Sequence, residues 1–316
     1  MNFNTFSHGW FFVILTHITS FFSQGVKMNR YCRILFGVFI VLLYSGNSFA
    51  GVPITLYDSH AGNINYVVTG ATLRTQSNDV NACAVGNSAT AALPEIPETA
   101  EILAAYLYWA GSFSAITGST QTEPDDTVTF EGQAIVSDRM FLEDFQGTDE
   151  EYFCGFKDVT SIATASVDGG DFVFSLSDLR VNSAAPHCSF ATVISGWALV
   201  VVYEDAAEDF RVINIFDGFE IYYGSAISLT PNNFQIPVSP INGKMTHISW
   251  EGDSGNSGSL NNFSENLFFN SNVLSDGVNP QNNQYNSTIN TMGSSASYYG
   301  VDIDTYDVSS YLNAGD

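Results

Sequence analysis

After residue 50 the hydrophobic and polar positions alternate with a period of two along most of the chain. Residues 127–130 (TVTF), 171–176 (DFVFSL) and 211–216 (RVINIF) are runs rich in β-branched and aromatic side chains, bounded by Gly, Asp, Asn and Pro. Residues 197–203 (WALVVVY) are apolar at every position, which predicts a central strand buried on both faces. Residues 100–107 have a helix-like composition, but they run straight into Tyr108 and Trp109 and predict the start of a strand. Turns are predicted at residues 168–170 (DGG) and at Asp217 and Gly218. Short strands at this spacing, without βαβ alternation, predict an all-β fold: an antiparallel β-sandwich or jelly roll.

A weak internal duplication organises the pattern. Residues 109–111 (WAG) return as 250–252 (WEG), and 130–132 (FEG) with 135–138 (IVSD) return as 269–271 (FNS) with 273–276 (VLSD). Residues 158–161 (DVTS) return as 307–310 (DVSS), so the order of the motifs is preserved. The duplication predicts two related sandwich units, residues 51–228 and 229–316. In the first copy the last motif is followed by a strand at 172–176 (FVFSL); in the second the sequence ends at residues 313–316 (NAGD), where that strand is due. The second unit is therefore expected to be truncated, with an unpaired strand edge, which is an aggregation liability.

Residues 28–50 change the compartment. Residues 28–33 (MNRYCR) form a short basic start, and residues 34–44 (ILFGVFIVLLY) an apolar run too short to anchor a chain in a bilayer. A polar stretch follows, with small Ser48 and Ala50 at the positions a signal peptidase reads. Residues 28–50 are thus read as a secretory signal peptide and residues 1–27 as an over-called upstream extension, with the mature chain beginning at Gly51 and carrying no membrane span.

Composition fits export. The chain is 45% hydrophobic, 14% aromatic and only 13% charged, with a formal net charge of −24. Its polarity is carried by Asn, Ser, Thr and Gly. Lys27, Arg30 and Arg33 precede Ala50 and no acid does, so the remainder is more acidic still. Such a surface repels nucleic acid and anionic membranes and excludes both as direct partners.

Several segments carry a family resemblance: residues 105–111 (AYLYWAG), 155–160 (GFKDVT), 196–205 (GWALVVVYED) with 217–220 (DGFE), and 300–309 (GVDIDTYDVS). Together they resemble the N-terminal module of large bacterial cell-surface proteins that carry tandem repeat domains of unknown function. The resemblance implies a secreted or surface β-protein, adhesive or structural, with no established catalysis; for such a protein the expected partner is a cell-surface glycan or protein. Neither tandem repeats nor a sorting segment follow Asp316 in the given sequence, where the resemblance leads one to expect them.

The candidate chemistry is sparse. Cys32 departs with the leader, leaving Cys83, Cys154 and Cys188 and three pairings. Cys154 lies among Tyr152, Phe153 and Phe156, a setting suited to a free core thiol, whereas Cys83 and Cys188 sit in small-residue polar stretches; the favoured disulfide is Cys83–Cys188. His60, His187 and His247 are scattered and show no zinc-ligand spacing. Residues 252–255 (GDSG) repeat the tetrapeptide around a serine-protease nucleophile, but the histidines lack that family's flanking residues, and the stretch reads as a Ser/Gly loop. Asp302, Asp304 and Asp307 follow a D-x-D-x-x-D spacing; carboxylates two apart on a strand share a face and can offer oxygen ligands to a hard cation such as calcium, though the Gly and Glu of an EF-hand loop are missing. Glu123, Asp125 and Asp126 form a second acidic turn, and Tyr222, Tyr223, Tyr298 and Tyr299 are candidates for stacking on sugars.

No catalytic residues and no cofactor other than calcium are therefore assigned. The leading expectation is a non-enzymatic secreted or cell-surface β-sandwich module. A calcium-assisted carbohydrate- or protein-binding domain is the alternative, and a secreted hydrolase a remote one.

Overall fold

The structure is a computed structural model that describes residues 9–10, 14–17, 51–222, 226–231, 234, 236–239, 241–250, 265–293 and 297–315. The leader at 28–50, nearly all of residues 1–27, the 252–255 loop and Tyr223 lie outside the described residues. In chain order the strands begin with β1 (Gly9–Trp10), β2 (Ile14–His17), β3 (Val52–Thr72), β4 (Ser88–Ala92), β5 (Glu101–Phe113) and β6 (Thr127–Phe130). Next come β7 (Gln133–Val136), β8 (Arg139–Asp144), β9 (Glu151–Asp158), β10 (Val173–Ser177), β11 (Ser195–Glu204) and β12 (Phe210–Phe219). The last are β13 (Ile221–Tyr222), β14 (Lys244–Ser249), β15 (Leu267–Phe269), β16 (Asn272–Leu274) and β17 (Asp302–Asp307). The fold is all-β and its strand ladders are antiparallel. Among the described residues no helix is long and apolar enough to cross a membrane.

The main sheet runs β17-β14-β2-β12-β3-β11-β5-β9-β8, and a smaller sheet runs β4-β10-β6-β7. Long strand β3 joins two regions of the main sheet: residues 52–63 pair with β12 and residues 64–72 with β11. This change of partner arranges the molecule in layers. One core holds Tyr66, Tyr106, Tyr108, Phe156 and Val200 from the β3-β11-β5-β9 region against Ile213, Ile215, Ile248, Trp250 and Ile303 from the β12, β14 and β17 region. On the far side of β11 and β5, a second core packs Leu107, Trp109, Trp197, Leu199 and Val201 against Phe130, Phe174 and Leu176 of the smaller sheet. Strand β11 contributes its even-numbered residues to the first core and its odd-numbered ones to the second, because alternate side chains point to opposite faces. It lies between β3 and β5, as an uninterrupted apolar run requires.

Glycine sets one of these contacts. Gly155 on β9 is opposite Trp109 on β5, and a Cβ added there would lie 2.2 Å from the indole ring. The indole fills that space, and its Nε1–H donates to the Asp125 carbonyl at 3.0 Å. An ion pair lies against the first core, its carboxylate buried and its guanidinium partly exposed. Arg139 of β8 meets Asp217 of β12 at 2.5 Å, Tyr108 donates to the same carboxylate at 3.0 Å, and the guanidinium lies 4.0 Å from the centroids of both Tyr57 and Phe156. Asp217 and Gly218 do not make the turn predicted for them. Both lie within β12, where the register shifts between Asp217 and Phe219, and a Cβ on Gly218 would lie 2.6 Å from the Val52 carbonyl. The glycine serves close backbone approach at an irregularity rather than a chain reversal.

The elements that carry the repeated motifs run in the same order, though Glu251 and Gly252 of the second copy lie outside the described residues. β5, the β6–β7 hairpin, β9 and the helix Thr160–Asp168 follow the same order as β14, the β15–β16 hairpin, β17 and the 3-10 turn Ser309–Tyr311. Both hairpins turn on two residues with positive φ, Glu131 and Gly132 (51° and 70°) and Asn270 and Ser271 (46° and 64°). The first hairpin belongs to a four-stranded sheet, the second to a two-stranded one. Strands from 229–316 join the main sheet and share its core with strands from 51–228.

Candidate functional site

The pairing of β14 with β17 sets Met245 opposite Tyr306, His247 opposite Asp304, and Ser249 opposite Asp302. Opposed residues share a face, as do residues two apart along a strand, so these six side chains form one patch. Residues 276–290 lie over it. Asp302 Oδ1 accepts the Asn286 and Thr288 amides at 2.9 and 3.1 Å. The Tyr306 hydroxyl accepts from Asn279 Nδ2 at 3.0 Å and from Gln284 Nε2. Thr288 Oγ1 is 2.7 Å from Asn279 Oδ1, and the Tyr285 ring lies 5.2 Å from that of His247. Asp276 holds the covering turn, accepting the Val278 and Asn279 amides at 2.7 Å each and Asn290 Nδ2 at 3.0 Å.

The patch is buried and largely polar. Asp302, Asp304 and His247 each have 0% exposure. Neither oxygen of Asp304 has a hydrogen-bond donor, and Oδ2 of Asp302, Oε1 of Gln284 and Oγ of Ser249 also lack partners. The Asn279 side chain and the Asn290 backbone N–H face Asp304 and act to lower its carboxyl, against the effect of burial. Burial pushes both carboxyls up; the charge of Asp304 adds to this at Asp302, and that of Asp276 at Asp304. Burial also holds the His247 imidazole down at about 3, so the ring is neutral at ordinary pH. Two buried carboxylates side by side are stable only when protons or a cation neutralise them. Paired carboxylates with amide and hydroxyl oxygens suit a hard cation such as calcium. Among the described residues no three His, Cys, Asp or Glu side chains converge as a metal-holding set, so a cation would rest on two carboxylates and neutral oxygens.

The third carboxylate of the sequence pattern does not join them. Asp307 is an odd number of positions from Asp302 and Asp304, is exposed, and accepts the Ser309 N–H at 2.9 Å at the start of the 3-10 turn. The hydroxyl and amide of Ser309 hold its carboxyl below the usual range. Nor does the other acidic turn gather. Asp125 is buried against Arg180, accepting its backbone N–H at 2.7 Å and its guanidinium at 2.5 Å, whereas Glu123 and Asp126 are exposed. Cys83 and Cys188 form a disulfide with their Cα atoms 5.4 Å apart. Cys154 is a buried free cysteine whose thiol burial pushes well up. His187 is buried with Nδ1 2.9 Å from the Asn182 amide, and His60 lies 3.2 Å from Asp58; neither meets His247. Tyr298 is partly buried against the first core.

The covering residues Asn279, Gln284, Asn286 and Thr288 escape sequence reasoning. Residues 279–290 (NPQNNQYNSTIN) have the composition of an ordinary solvated loop. Their one signal is the pattern of residues 301–306 (VDIDTY), in which apolar residues alternate with aspartates. Val301 and Ile303 face the first core, so alternation alone points the aspartates away from that core, and only the tertiary cover buries them.

No curated protein matches the chain, and no solved structure matches it. A family model described as protein of unknown function (DUF3344) matches residues 43–316, and the chain belongs to that family.

Proposed function

We propose that the protein is a non-enzymatic, secreted or cell-surface β-sandwich module with a structural or adhesive role, of the kind that begins large bacterial surface proteins. The observation that carries this reading is the Cys83–Cys188 disulfide, which closes a sequence separation of 105 residues. Such bonds persist in oxidising compartments and are rare in reducing cytosol. The signal-like pattern of residues 28–50, the strong net negative charge and the low share of charged residues support the same reading. Its partner would be a glycan or protein of another surface. Fractionation of producing cells tests it: the protein should be found outside the cytoplasm with the disulfide oxidised, and a reduced cytoplasmic pool would refute export.

A second reading, calcium-assisted recognition, is favoured by the unpartnered Asp304 carboxylate and Asp302 Oδ2. Calorimetry after chelation distinguishes the two. Millimolar calcium should raise the midpoint of thermal unfolding if the buried carboxylates bind it, and an unchanged midpoint removes this second reading.

A further inference from the structure

The β14 residue at the opposite end of the strand from the aspartate patch, Lys244, is placed for a different chemistry. Its Nζ donates to Asn65 Oδ1 and to the Tyr66 carbonyl, both at 2.8 Å, and lies 4.1 Å from the centroid of the Tyr66 ring. No carboxylate oxygen lies within salt-bridge distance of it among the described residues. The groups around Asn65 are equally specific. Its Nδ2 donates to Glu208 Oε1 at 3.1 Å, and its Oδ1 accepts the Tyr66 backbone N–H at 2.9 Å. Glu208 is fixed in turn by the Tyr203 hydroxyl at 3.0 Å and by Arg211. A nucleophile, an amide carbonyl held by a backbone donor, and a carboxylate beside the leaving nitrogen therefore meet where β3 changes partners from β12 to β11.

We propose that Lys244 and Asn65 form an intramolecular isopeptide bond, assisted by Glu208. In its neutral form the Lys244 amine adds to Asn65 Cγ, forming the N–C bond. The charge that develops on Oδ1 is met by the Tyr66 N–H. The Glu208 carboxylate takes a proton from the attacking nitrogen and delivers it to Nδ2. The Cγ–Nδ2 bond breaks, ammonia leaves, and a secondary amide joins β14 to β3. The exchange is amine plus amide to amide plus ammonia, so no oxidant or other co-reactant is consumed. Burial, foremost, holds the Lys244 amine down at about 8, with the charge of Arg211 acting the same way, which supplies neutral amine near neutral pH. An open pocket of about 270 Å3 lined by Asn65, Arg211, Lys244 and Asp307 gives ammonia a way out. The cross-link would tie the β14–β17 pair to a strand that is not its neighbour in the sheet, fixing one layer to the next.

Mass spectrometry of the purified full chain, unreduced, tests this directly. The protein should be lighter than its sequence by one ammonia, beyond the two hydrogens of the disulfide, and digestion should yield a branched peptide joining Asn65 to Lys244. Lys244→Arg should restore the ammonia, and Glu208→Gln should slow cross-linking by about 100-fold. A wild-type mass without the loss, or a loss that survives in Lys244→Arg, would overturn the proposal. Should Lys244→Arg fail to fold, the presence or absence of the branched peptide in the wild type still decides it.

Discussion

At the scale of single residues, burial decides chemistry. Asp302, Asp304 and Asp307 look alike in the sequence, yet two are enclosed and one caps a turn in solvent. The sign of their effect on stability follows. The folded state holds the protons of Asp302 and Asp304 above the pH at which the unfolded chain releases them. Without a bound cation, their contribution is favourable below the ordinary carboxylate range and is lost as pH rises through the raised folded values. Asp304→Asn should therefore stabilise the chelated protein at neutral pH by about 1–4 kcal/mol, with the gain fading toward pH 4 or so. Urea unfolding across that pH range measures it, and a loss of stability at neutral pH in chelator would contradict it. In calcium the same variant should lose whatever stabilisation the metal gives. Asp307→Asn should alter neither behaviour.

At the scale of elements, pattern was a better guide to strands than to connections. Residues 197–203 lie in the two-faced strand β11, and residues 127–130 coincide with β6, because alternation and an unbroken apolar run are direct records of which faces are covered. Asp217 and Gly218 misled because a Gly at a bulge and a Gly at a turn have the same local composition. The helix Thr160–Asp168 followed a motif with no helical hydrophobic stripe to announce it; of its residues only Ala163 is buried. Pairing of β5 with β9 offers a direct check on packing. Gly155→Ala should cost about 1–3 kcal/mol, because the new methyl meets the Trp109 ring and the core there has no slack. Gly277→Ala, where nothing lies within 4 Å, is the control and should change little. Equal midpoints for the two variants in urea unfolding would contradict this packing.

At the scale of the whole molecule, the two ends of the sequence bear on one another. Strand β2 lies between β12 and β14, pairing Ile213–Phe216 on one side and Met245–His247 on the other. Cleavage after Ala50 would remove that strand and leave the facing edges of β12 and β14 to be satisfied by water or by another strand. A mature chain beginning at Gly51 and a mature chain containing β2 are therefore two different molecules. The proposed surface role requires the first. N-terminal sequencing of the protein recovered from outside the cells that produce it is the most direct test. The export reading gives Gly51 as the first residue; any start before Gly51 contradicts it.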